Sequence, residues 1–579
     1  MRFSNWDIRG FDREAAVELC HSGINPLVSV LMASRYGNKK EEIMQFLDTQ
    51  SAPYHNPYLM QDMDKAVERI NKAVAEKEKI AVYGDYDVDG MTSTAVVALW
   101  LKSKNADYEV YIPKRSGATE CFGEGYGLSV NALDTLKAKG IGLVITVDCG
   151  ITATDEAEHA KKIGLGLVIT DHHECRASIP DADAVINPKR PDCKYPYKSL
   201  AGVGVAFKLV CALENDYLSD GIFNRYGRFL ALGTIADVMP VTGENRKLIC
   251  AGLGILNTNP GAGLKELINE ACRDTDKITT SSIGFALAPR LNAAGRMGDP
   301  MLSVRLLLTD DPLEAKELVG ELCHLNNERR KLEQEIYDNA MTMLPEDEQG
   351  EPVILSSSEW NQGVTGVVAS RIAEKFRLPT IIISINEAGV GRGSCRSNNG
   401  FDIYNALSSC KDILLNYGGH TKAAGMDIAP ENIEQLRRRI TDIYNTFKSG
   451  NSGANGLLVD FEVEKPDLLT ISNIEALRKM EPFGNENPLP CLCIKNANLT
   501  AIQSIGAGKH TRLKVEKNNT VFACIFFSVS TDDLGLSIGD DVDIAFEPQV
   551  NEFRGNYSVQ LQLQDIRPVC LDIKLSEAL

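Results

Sequence analysis

The feature that most constrains the fold is an alternation of short apolar runs with amphipathic helical patterns in the first half of the chain. The apolar runs read KIAVYGDYD, DYEVYIP, GLVITVDCG and GLGLVITDHHE, and patterns such as MTSTAVVALWLKSK and LSVNALDTLKAKG separate them. Runs that are apolar on both faces are typical of strands in a parallel sheet that helices cover on both sides. Such sheets bind their ligands at the carboxyl ends of the strands.

Acidic and imidazole side chains follow three of these strands, and one more follows the apolar stretch ALGTIADVMP. They are Asp85, Asp87, Asp89, Asp148, Asp171, His172, His173 and Asp237. Like charges so close together repel one another and are costly to bury, unless cations lie between them. Oxygen ligands with one or two imidazoles suit Mn²⁺ or Mg²⁺ better than a structural zinc ion. The sequence therefore predicts a centre for two divalent ions.

Each of these residues also has an ordinary structural interpretation. A single Asp after a strand is usually a turn former or a helix N-cap, so Asp148 and Asp237 count only in combination with the others. The alternative for Asp85 is that it contacts the metal ligands and does not bind an ion itself. Adjacent imidazoles after an apolar strand, at His172 and His173, are harder to explain as packing.

The rest of the pattern predicts a multidomain α/β protein. A long helix connects the parallel-sheet domain to a second α/β domain, and alternating strands near the C-terminus indicate a small β-barrel of the OB type. The predicted parts are an N-terminal helical segment (1–75), the parallel-sheet domain (76–310), a connecting helix (311–345), the second α/β domain (346–450) and the barrel (455–579).

Composition limits the class of protein. A chain of 579 residues is too long for one core, and its net charge of −18 argues against indiscriminate binding of polyanions. It does not exclude a nucleic-acid enzyme whose carboxylates hold metal. No apolar run is long enough to cross a bilayer, and the N-terminal residues lack the apolar stretch of a secretory signal. We expect a cytoplasmic protein without a membrane partner.

An ordered set of motifs resembles the DHH phosphoesterase superfamily and, within it, the RecJ family of single-stranded-DNA exonucleases. The motifs are YGDYDVDGMTSTA, EGYGLS, VITVDCGI, VITDHHE, LAGVGVAFKL, ALGTIADVMPVTGENRKL, PRLNAAGRMGDP, GVTGVVASRIAEKF, GRGSCRS, GGHTKAAGM and PFGNENPLP. The resemblance covers nearly the whole chain. It implies DHH and DHHA1 domains followed by an OB-like domain that binds nucleic acid.

The resemblance also implies roles for the acidic and imidazole residues. Asp148 would bridge two ions, Mn²⁺ or Mg²⁺, with Asp87 and Asp85 completing one position. Asp89, His172 and Asp237 would complete the other. His173 would lie near the scissile phosphate as a ligand or acid, and Asp171 would orient the two imidazoles. The implied reaction is hydrolysis of phosphodiester bonds from the 5′ end of single-stranded DNA, which releases 5′-mononucleotides in repair and recombination.

A second group of residues is implied to bind the strand. Glycines permit close approach to a phosphate, and arginines pair with it. The group comprises Arg290, Asn292, Arg296, Ser370, Arg371, Arg392, Arg396, Ser397, Gly418, Gly419 and His420. For any one of the arginines, a surface or interdomain ion pair is a competing interpretation. A single-strand-binding protein and a helicase are possible partners, and the enzyme is expected to act as a monomer.

Two departures from the RecJ pattern affect the substrate path. Asn361 follows Trp360 where RecJ proteins commonly have histidine, and the loop between Pro113 and Gly125 is longer than usual. Two other functions stay open: a DHH phosphodiesterase for short RNA or cyclic dinucleotides, and an inactive nucleic-acid-binding relative. The helical N-terminus and β-rich C-terminus weigh against the first, and the intact aspartates and histidines weigh against the second.

Overall fold

The computed structural model describes residues 3, 5–48, 54–113, 127–217, 219–273, 275–344, 350–398, 400–450 and 456–569. The loop between Pro113 and Gly125, which the sequence predicts to be unusually long, lies outside this part of the chain. Two compact units form, one from Met1–Ala52 with Gly453–Leu579 and one from Pro53–Ser452. No helix in the described ranges combines the length and apolarity needed to span a membrane.

The N-terminal part of the first unit contains one strand and three helices. They are β1 (Asn5–Ile8), α1 (Arg13–His21), α2 (Pro26–Tyr36) and α3 (Lys40–Leu47). The second of these helices begins where the Asn25 side chain accepts a hydrogen bond from the Leu27 amide, and Pro26 has no amide to satisfy at that position.

The second unit begins with a sheet of five parallel strands and its covering helices. These elements are α4 (Met63–Ala75), β2 (Ile80–Tyr83), α5 (Val88–Ser103), β3 (Tyr108–Tyr111), α6 (Val130–Ala138), β4 (Leu143–Val147), α7 (Thr154–Lys162), β5 (Gly166–Thr170) and β6 (Ala184–Ile186). The strand order is β3-β2-β4-β5-β6. The predicted parallel sheet is confirmed. Because β3 and β4 flank β2 on opposite sides, a crevice is expected at the carboxyl ends of β2 and β4.

Seven further helices extend this domain. They are α8 (Gly202–Glu214), α9 (Asp220–Ala236), α10 (Gly243–Thr258), α11 (Ala262–Ala271), α12 (Thr280–Ser282), α13 (Ala288–Met297) and α14 (Met301–Leu308). Helices α5 and α8 are apolar around most of their circumference and are almost completely buried, which fits two helices that lie between neighbouring elements on all sides.

A helix of 32 residues, α15 (Pro312–Met343), leads to the second α/β domain, as predicted. That domain contains β7 (Val353–Ser357), α16 (Gln362–Phe376), β8 (Thr380–Ile385), β9 (Gly391–Arg396), α17 (Ile403–Ser408), β10 (Leu414–Gly419), β11 (Ala423–Ile428) and α18 (Ile433–Gly450). Its mixed sheet has the order β10-β11-β9-β8-β7, with only the β7–β8 pair parallel.

The C-terminal part completes the first unit. Its elements are β12 (Gly456–Val459), β13 (Phe461–Glu462), α19 (Ile471–Ala476), β14 (Leu492–Ile505), β15 (His510–Lys517), β16 (Thr520–Phe526), β17 (Asp541–Phe553) and β18 (Asn556–Pro568). Strand β14 pairs with both β15 and β17, which closes a five-stranded barrel and confirms the OB-like prediction. Strand β1 pairs with β12, and α2 packs into the core of the barrel.

Candidate metal centre

The turn between β2 and α5 carries the first three carboxylates. Asp87 is the N-cap of α5, and its Oδ1 accepts a hydrogen bond from the Gly90 amide at 3.0 Å. Asp85 and Asp89 are buried, at 3% and 1% exposure. A Cβ at Gly90 would lie 2.5 Å from the Asp85 carbonyl oxygen, so only glycine permits this turn. The cap occupies one carboxylate oxygen of Asp87 and leaves the second for another partner.

The next two strand ends bring Asp148 and Asp171 to the same edge of the sheet. Asp148 follows β4 with φ of +61°, a left-handed conformation that Asp tolerates better than most residues. Asp171 follows β5 and accepts hydrogen bonds from the amides of Ile151 (2.8 Å), His172 (2.7 Å) and His173 (3.0 Å). The Asp171 carboxylate therefore fixes the backbone that carries both histidines.

The donor atoms fall into groups small enough to hold an ion. In each group all atoms lie within 4.8 Å of one another. The groups are Asp85, Asp87 and Asp148; Asp89, His172 and Asp237; and Asp148, His172 and His173. His172 Nε2 lies 3.1 Å from Asp148 Oδ1, 3.6 Å from Asp237 Oδ2 and 3.8 Å from Asp89 Oδ2. The structure thus brings together all the residues that the sequence predicts as ligands.

Electrostatics at these carboxylates is unfavourable without a cation. Burial and the neighbouring Asp87 raise the pKa of Asp89 to about 7, and burial with Asp89 and Asp87 raises the pKa of Asp237 to about 8. Burial and Asp89 also raise the pKa of Asp148 well above its usual range. Each carboxylate therefore opposes ionisation of its neighbours, as expected for a site that divalent cations complete.

The two histidines differ in charge because their surroundings differ. Burial and the charge of His173 lower the pKa of His172 to about 3, which keeps that ring neutral. Burial opposes a charge on His173, but a 2.7 Å contact between its Nδ1 and Asp171 Oδ1 raises its pKa to about 9. The same contact holds the pKa of Asp171 at about 2 although burial acts in the other direction. A neutral imidazole can bind metal, and a protonated one can donate to phosphate.

The donor set fits Mn²⁺ or Mg²⁺. Asp148 Oδ1 and His172 Nε2 are buried, and the 3.1 Å contact between them does not have the geometry of a hydrogen bond. A buried polar atom left in this way normally has an ion or water as its partner. Carboxylate oxygens with one imidazole are hard ligands, and an all-cysteine or cysteine–histidine set for structural zinc is not present at this cluster.

The N-terminus of α8 supports the site, and sequence reasoning missed it. The amides of Gly202 and Val203 donate to Asp89 Oδ2 (2.6 Å) and Oδ1 (2.9 Å). A Cβ at Gly202 would lie 2.4 Å from Asp148 Oδ1, so glycine is needed for this approach. The motif LAGVGVAFKL carries a signal for this role, because its glycines begin an otherwise apolar helix. Nothing in the motif itself indicates which carboxylates the start of the helix contacts.

Helix α13 brings the first predicted strand-binding residues close to the turn after β2. Asn292 Oδ1 accepts a hydrogen bond from the Val88 amide at 3.0 Å. The guanidinium of Arg290 donates to the Ala286 carbonyl at 2.7 Å, and that of Arg296 donates to the Gly363 carbonyl at 3.3 Å. Asn292 therefore shapes the acidic turn, while both arginines have backbone contacts.

The predicted residues of the second α/β domain divide into two groups. Arg371 donates to Gln334 at 2.9 Å and lies over the ring of Tyr337, both in α15. Arg392 pairs with Asp427 at 3.3 Å. Arg371 Nη1 also lies 4.0 Å from Glu333 Oε1, so the ion-pair interpretation fits Arg371 and Arg392, and their role with substrate stays a prediction.

The other group in that domain lies around the end of β9 and at β10. Arg396 Nε donates to Ser370 Oγ at 3.0 Å, and Ser397 Oγ donates to the Phe401 carbonyl at 2.7 Å. Gly418 and Gly419 end β10, directly before His420. Burial and the positive charges of His173 and Lys189 lower the pKa of His420.

Asn361 has a structural partner at the position where the sequence departs from the RecJ pattern. Its Oδ1 accepts a hydrogen bond from the Gly363 amide at 2.8 Å and caps α16. A Cβ at Gly363 would lie 2.5 Å from the Arg296 carbonyl oxygen, so this turn packs closely against α13. The amide at Asn361 therefore serves the start of a helix.

Three family models match the chain and define its class. They are the DHH family N-terminal domain over residues 79–234, the DHHA1 domain over 350–446 and the RecJ OB domain over 459–565. With the acidic cluster at the end of the parallel sheet, they make this a protein of the DHH class.

Relatives and solved structures narrow the class further. The single-stranded-DNA-specific exonuclease RecJ of Bacillus subtilis is 38% identical over 566 residues, which cover 97% of this chain and 70% of that protein. The crystal structure of RecJ in complex with Mn²⁺ from Thermus thermophilus matches with a TM-score of 0.83 and 27% identity, over 97% of this chain and 79% of that one. The corresponding Mg²⁺ complex matches with a TM-score of 0.77 and 26% identity, over 97% and 78%. This chain belongs to the RecJ family of single-stranded-DNA-specific exonucleases.

Proposed function

We propose that this protein hydrolyses single-stranded DNA from the 5′ end to 5′-mononucleotides, with two divalent ions held by the acidic cluster. The observation that carries the proposal is the division of the donor atoms into three overlapping groups, in which Asp148 belongs to two groups and His172 belongs to two. One ion would take Asp85, Asp87 and Asp148, and the other would take Asp148 with Asp89, His172 and Asp237. When bound, such a pair of ions supplies positive charge for the phosphate and lowers the pKa of a water molecule.

The side chains of the site divide the remaining work. Asp171 holds His172 and His173 by their amides, and its contact with His173 Nδ1 keeps that ring protonated. A protonated His173 donates through Nε2 to an oxygen of the scissile phosphate. The amides of Gly202 and Val203 fix Asp89 so that it keeps its position when the strand enters. His420 approaches the phosphate from the second α/β domain.

The test of the metal assignment replaces a carboxylate at the centre of the cluster and one outside it. We expect Asp148→Asn to reduce Mn²⁺-dependent release of nucleotides from 5′-labelled single strand by at least about 1,000-fold, because both ion positions lose a ligand. Asp155 is an exposed first-turn carboxylate of α7, and Asp155→Asn is the matched control. Near-normal turnover by Asp148→Asn would reject the assignment.

The substrate and direction are tested by the choice of oligonucleotide. We expect rapid degradation of a single strand, slow degradation of duplex, and little reaction with short RNA or a cyclic dinucleotide. A strand blocked at its 5′ end should resist the enzyme, whereas a 3′ block should have no effect. Preference for short RNA or a cyclic dinucleotide would support a different DHH phosphodiesterase.

We also propose a role in the cell, which membership of the RecJ family supports. The protein acts in DNA repair and recombination, in the cytoplasm and as a monomer, on strands that a helicase and a single-strand-binding protein deliver. Loss of the gene is expected to reduce survival after DNA damage that needs strand resection, and an Asp148→Asn allele should reproduce that loss. A normal survival curve for that allele would contradict this role.

A further inference from the structure

The loop after β6 is fixed directly beside the DHH motif. Asn187 Nδ2 donates to the His173 carbonyl at 2.9 Å, and Asn187 Oδ1 accepts from the Lys189 amide at 2.8 Å. The next residue, Arg190, is buried and donates to Asp62 Oδ2 at 2.7 Å and to the Val185 carbonyl at 2.5 Å. The backbone of Lys189 therefore has a fixed position between two anchored residues.

The Lys189 side chain has one ion-pair partner among the described residues, and that partner is largely exposed. Its Nζ lies 3.0 Å from Glu174 Oε1, and the two side chains are 22% and 65% exposed. An ion pair with one partner in solvent contributes little to stability and exchanges readily. By contrast, the guanidinium of Arg190 is held by Asp62 and Asp192. Of these two neighbouring cations, Lys189 is the one whose charged group can change partner.

The charge of Lys189 affects the pKa of several other groups. Burial and His173 lower the pKa of His172, and the charge of Lys189 lowers it further. Lys189 also acts against the raised pKa of Asp237, and it adds to the lowering at His420. These groups belong to the DHH motif, to the end of α9 and to the turn after β10. The 3.0 Å contact with Glu174, the residue after His173, and the hydrogen bond from Asn187 to the His173 carbonyl place the ammonium group beside the DHH motif, in agreement with these pKa effects.

We propose that Lys189 binds a backbone phosphate of the single strand next to the one that is cleaved, and that Glu174 is its partner when no strand is bound. This inference rests on the proposed function. A lysine ammonium is a compact charge on a flexible stem, which suits a phosphate whose position changes as the strand advances. Arg190 could not follow that movement, because Asp62 and Asp192 hold its guanidinium in place.

The experiment measures one lost phosphate contact in the full-length protein. Lys189→Gln, Lys189→Arg and Glu174→Gln are compared with wild type in Mn²⁺-dependent degradation of single-stranded DNA at several salt concentrations. Lys162→Gln is the control, because Lys162 forms an exposed ion pair with Glu158 on α7. We expect Lys189→Gln to raise KM by about tenfold and to reduce the slope of log KM against log salt by about 0.7. Its kcat should stay within about threefold of wild type.

The other variants separate a phosphate contact from a structural role. Lys189→Arg should restore most of the lost affinity, and Glu174→Gln should lower KM or leave it unchanged because it releases the ammonium group. If Lys189 only stabilised the loop through Glu174, Lys189→Gln and Glu174→Gln would lower the melting temperature by the same amount. Neither of these two variants would then change the salt slope. An unchanged slope for Lys189→Gln in an enzyme that degrades single strands would overturn this inference alone. A wild type inactive on single strands would overturn the proposed function with it.

Discussion

Helix α8 contacts two buried clusters of charged residues, and the two clusters differ in how the protein satisfies them. At its N-terminus lie the carboxylates Asp89 and Asp148. Farther along, Lys208 Nζ lies 2.7 Å from Glu244 Oε1, and both side chains are almost completely buried. Tyr195 donates to Glu244 Oε2 at 2.6 Å, the His55 amide donates to Oε1 at 3.0 Å, and Lys208 donates to the His55 carbonyl at 2.8 Å.

The difference separates stability from function. At Lys208 each charge meets an opposite charge and further hydrogen bonds, so the cluster is complete within the protein. At Asp148 the neighbouring carboxylates raise one another's pKa, and a buried oxygen has no hydrogen-bond partner in the described ranges. The carboxylate cluster at Asp148 therefore lowers the stability of the protein, whereas the Lys208 cluster does not. The binding of cations at the carboxylates offsets that loss.

The largest effect on stability is expected where the satisfied cluster is broken. Lys208→Met leaves Glu244 buried without its cation, and we expect the free energy of unfolding to fall by about 3–5 kcal/mol. Denaturant unfolding followed by circular dichroism measures it. The double variant Lys208→Met with Glu244→Leu should recover much of the loss. A change below about 1 kcal/mol would mean that the pair is not buried as the structure has it.

Function, rather than stability, should change most at the unsatisfied cluster. Gly202→Ala places a methyl group against Asp148 Oδ1 and shifts either that carboxylate or α8. We expect exonuclease activity to fall by about 100-fold, since a displacement of about 1 Å has that effect in active sites. Gly254 in α10 has no atom near its Cβ position, so Gly254→Ala is the control and should raise stability by about 0.5–1 kcal/mol. Equal activity of the two variants would contradict the role of Gly202.

Most acidic residues of the site could be predicted because they follow apolar strands of a parallel sheet, whereas Asp237 follows helix α9. That pattern places Asp85, Asp148 and Asp171 at one edge without any knowledge of tertiary contacts. Gly202 and Lys189 could not be found in this way. Their positions depend on how α8 and the loop after β6 pack against the sheet, and no local periodicity indicates it.

The domain classes follow from sequence, but the arrangement of the N-terminal segment does not. The sequence suggests one helical segment over 1–75, whereas α1, α2 and α3 join the barrel unit and α4 packs in the second unit. In the barrel unit, β1 pairs with β12, which lies about 450 residues away along the chain. Similarly, Phe526 and Phe546 fill the core of the barrel, while Phe527 and Tyr557 are exposed, a division that alternation alone leaves open.

Cations should stabilise the protein through the unsatisfied cluster only. At a free Mn²⁺ concentration of ten times Kd, we expect the free energy of unfolding to rise by about 1.4 kcal/mol. Thermal unfolding with and without Mn²⁺, after chelation, measures the shift. The rise should be absent in Asp148→Asn and present in Lys208→Arg. A shift that survives Asp148→Asn would place the ion elsewhere.

The smallest effect concerns backbone strain, which the structure places beside the acidic cluster. Val238 directly follows Asp237, is 67% exposed and has φ of +56°, a conformation that disfavours β-branched residues. It ends α9 in a turn where the Met239 amide donates to the Thr234 carbonyl at 3.1 Å. Val238→Gly removes the strain but adds freedom to the unfolded chain, so we expect stability to rise by about 1 kcal/mol.

The matched control for this change is the C-cap of α8. Asn215 has φ of +50°, and Asn accepts this conformation, so Asn215→Gly should change stability by only a few tenths of a kcal/mol, about 0.3. Denaturant unfolding of both variants compares them directly. A larger gain at Asn215 than at Val238 would mean that strain is not concentrated at the cluster. A larger gain at Val238 than at Asn215 is the expected result. It would mean that the facing carboxylates and the strained valine, both unfavourable for stability, lie together where α9 meets the candidate metal centre.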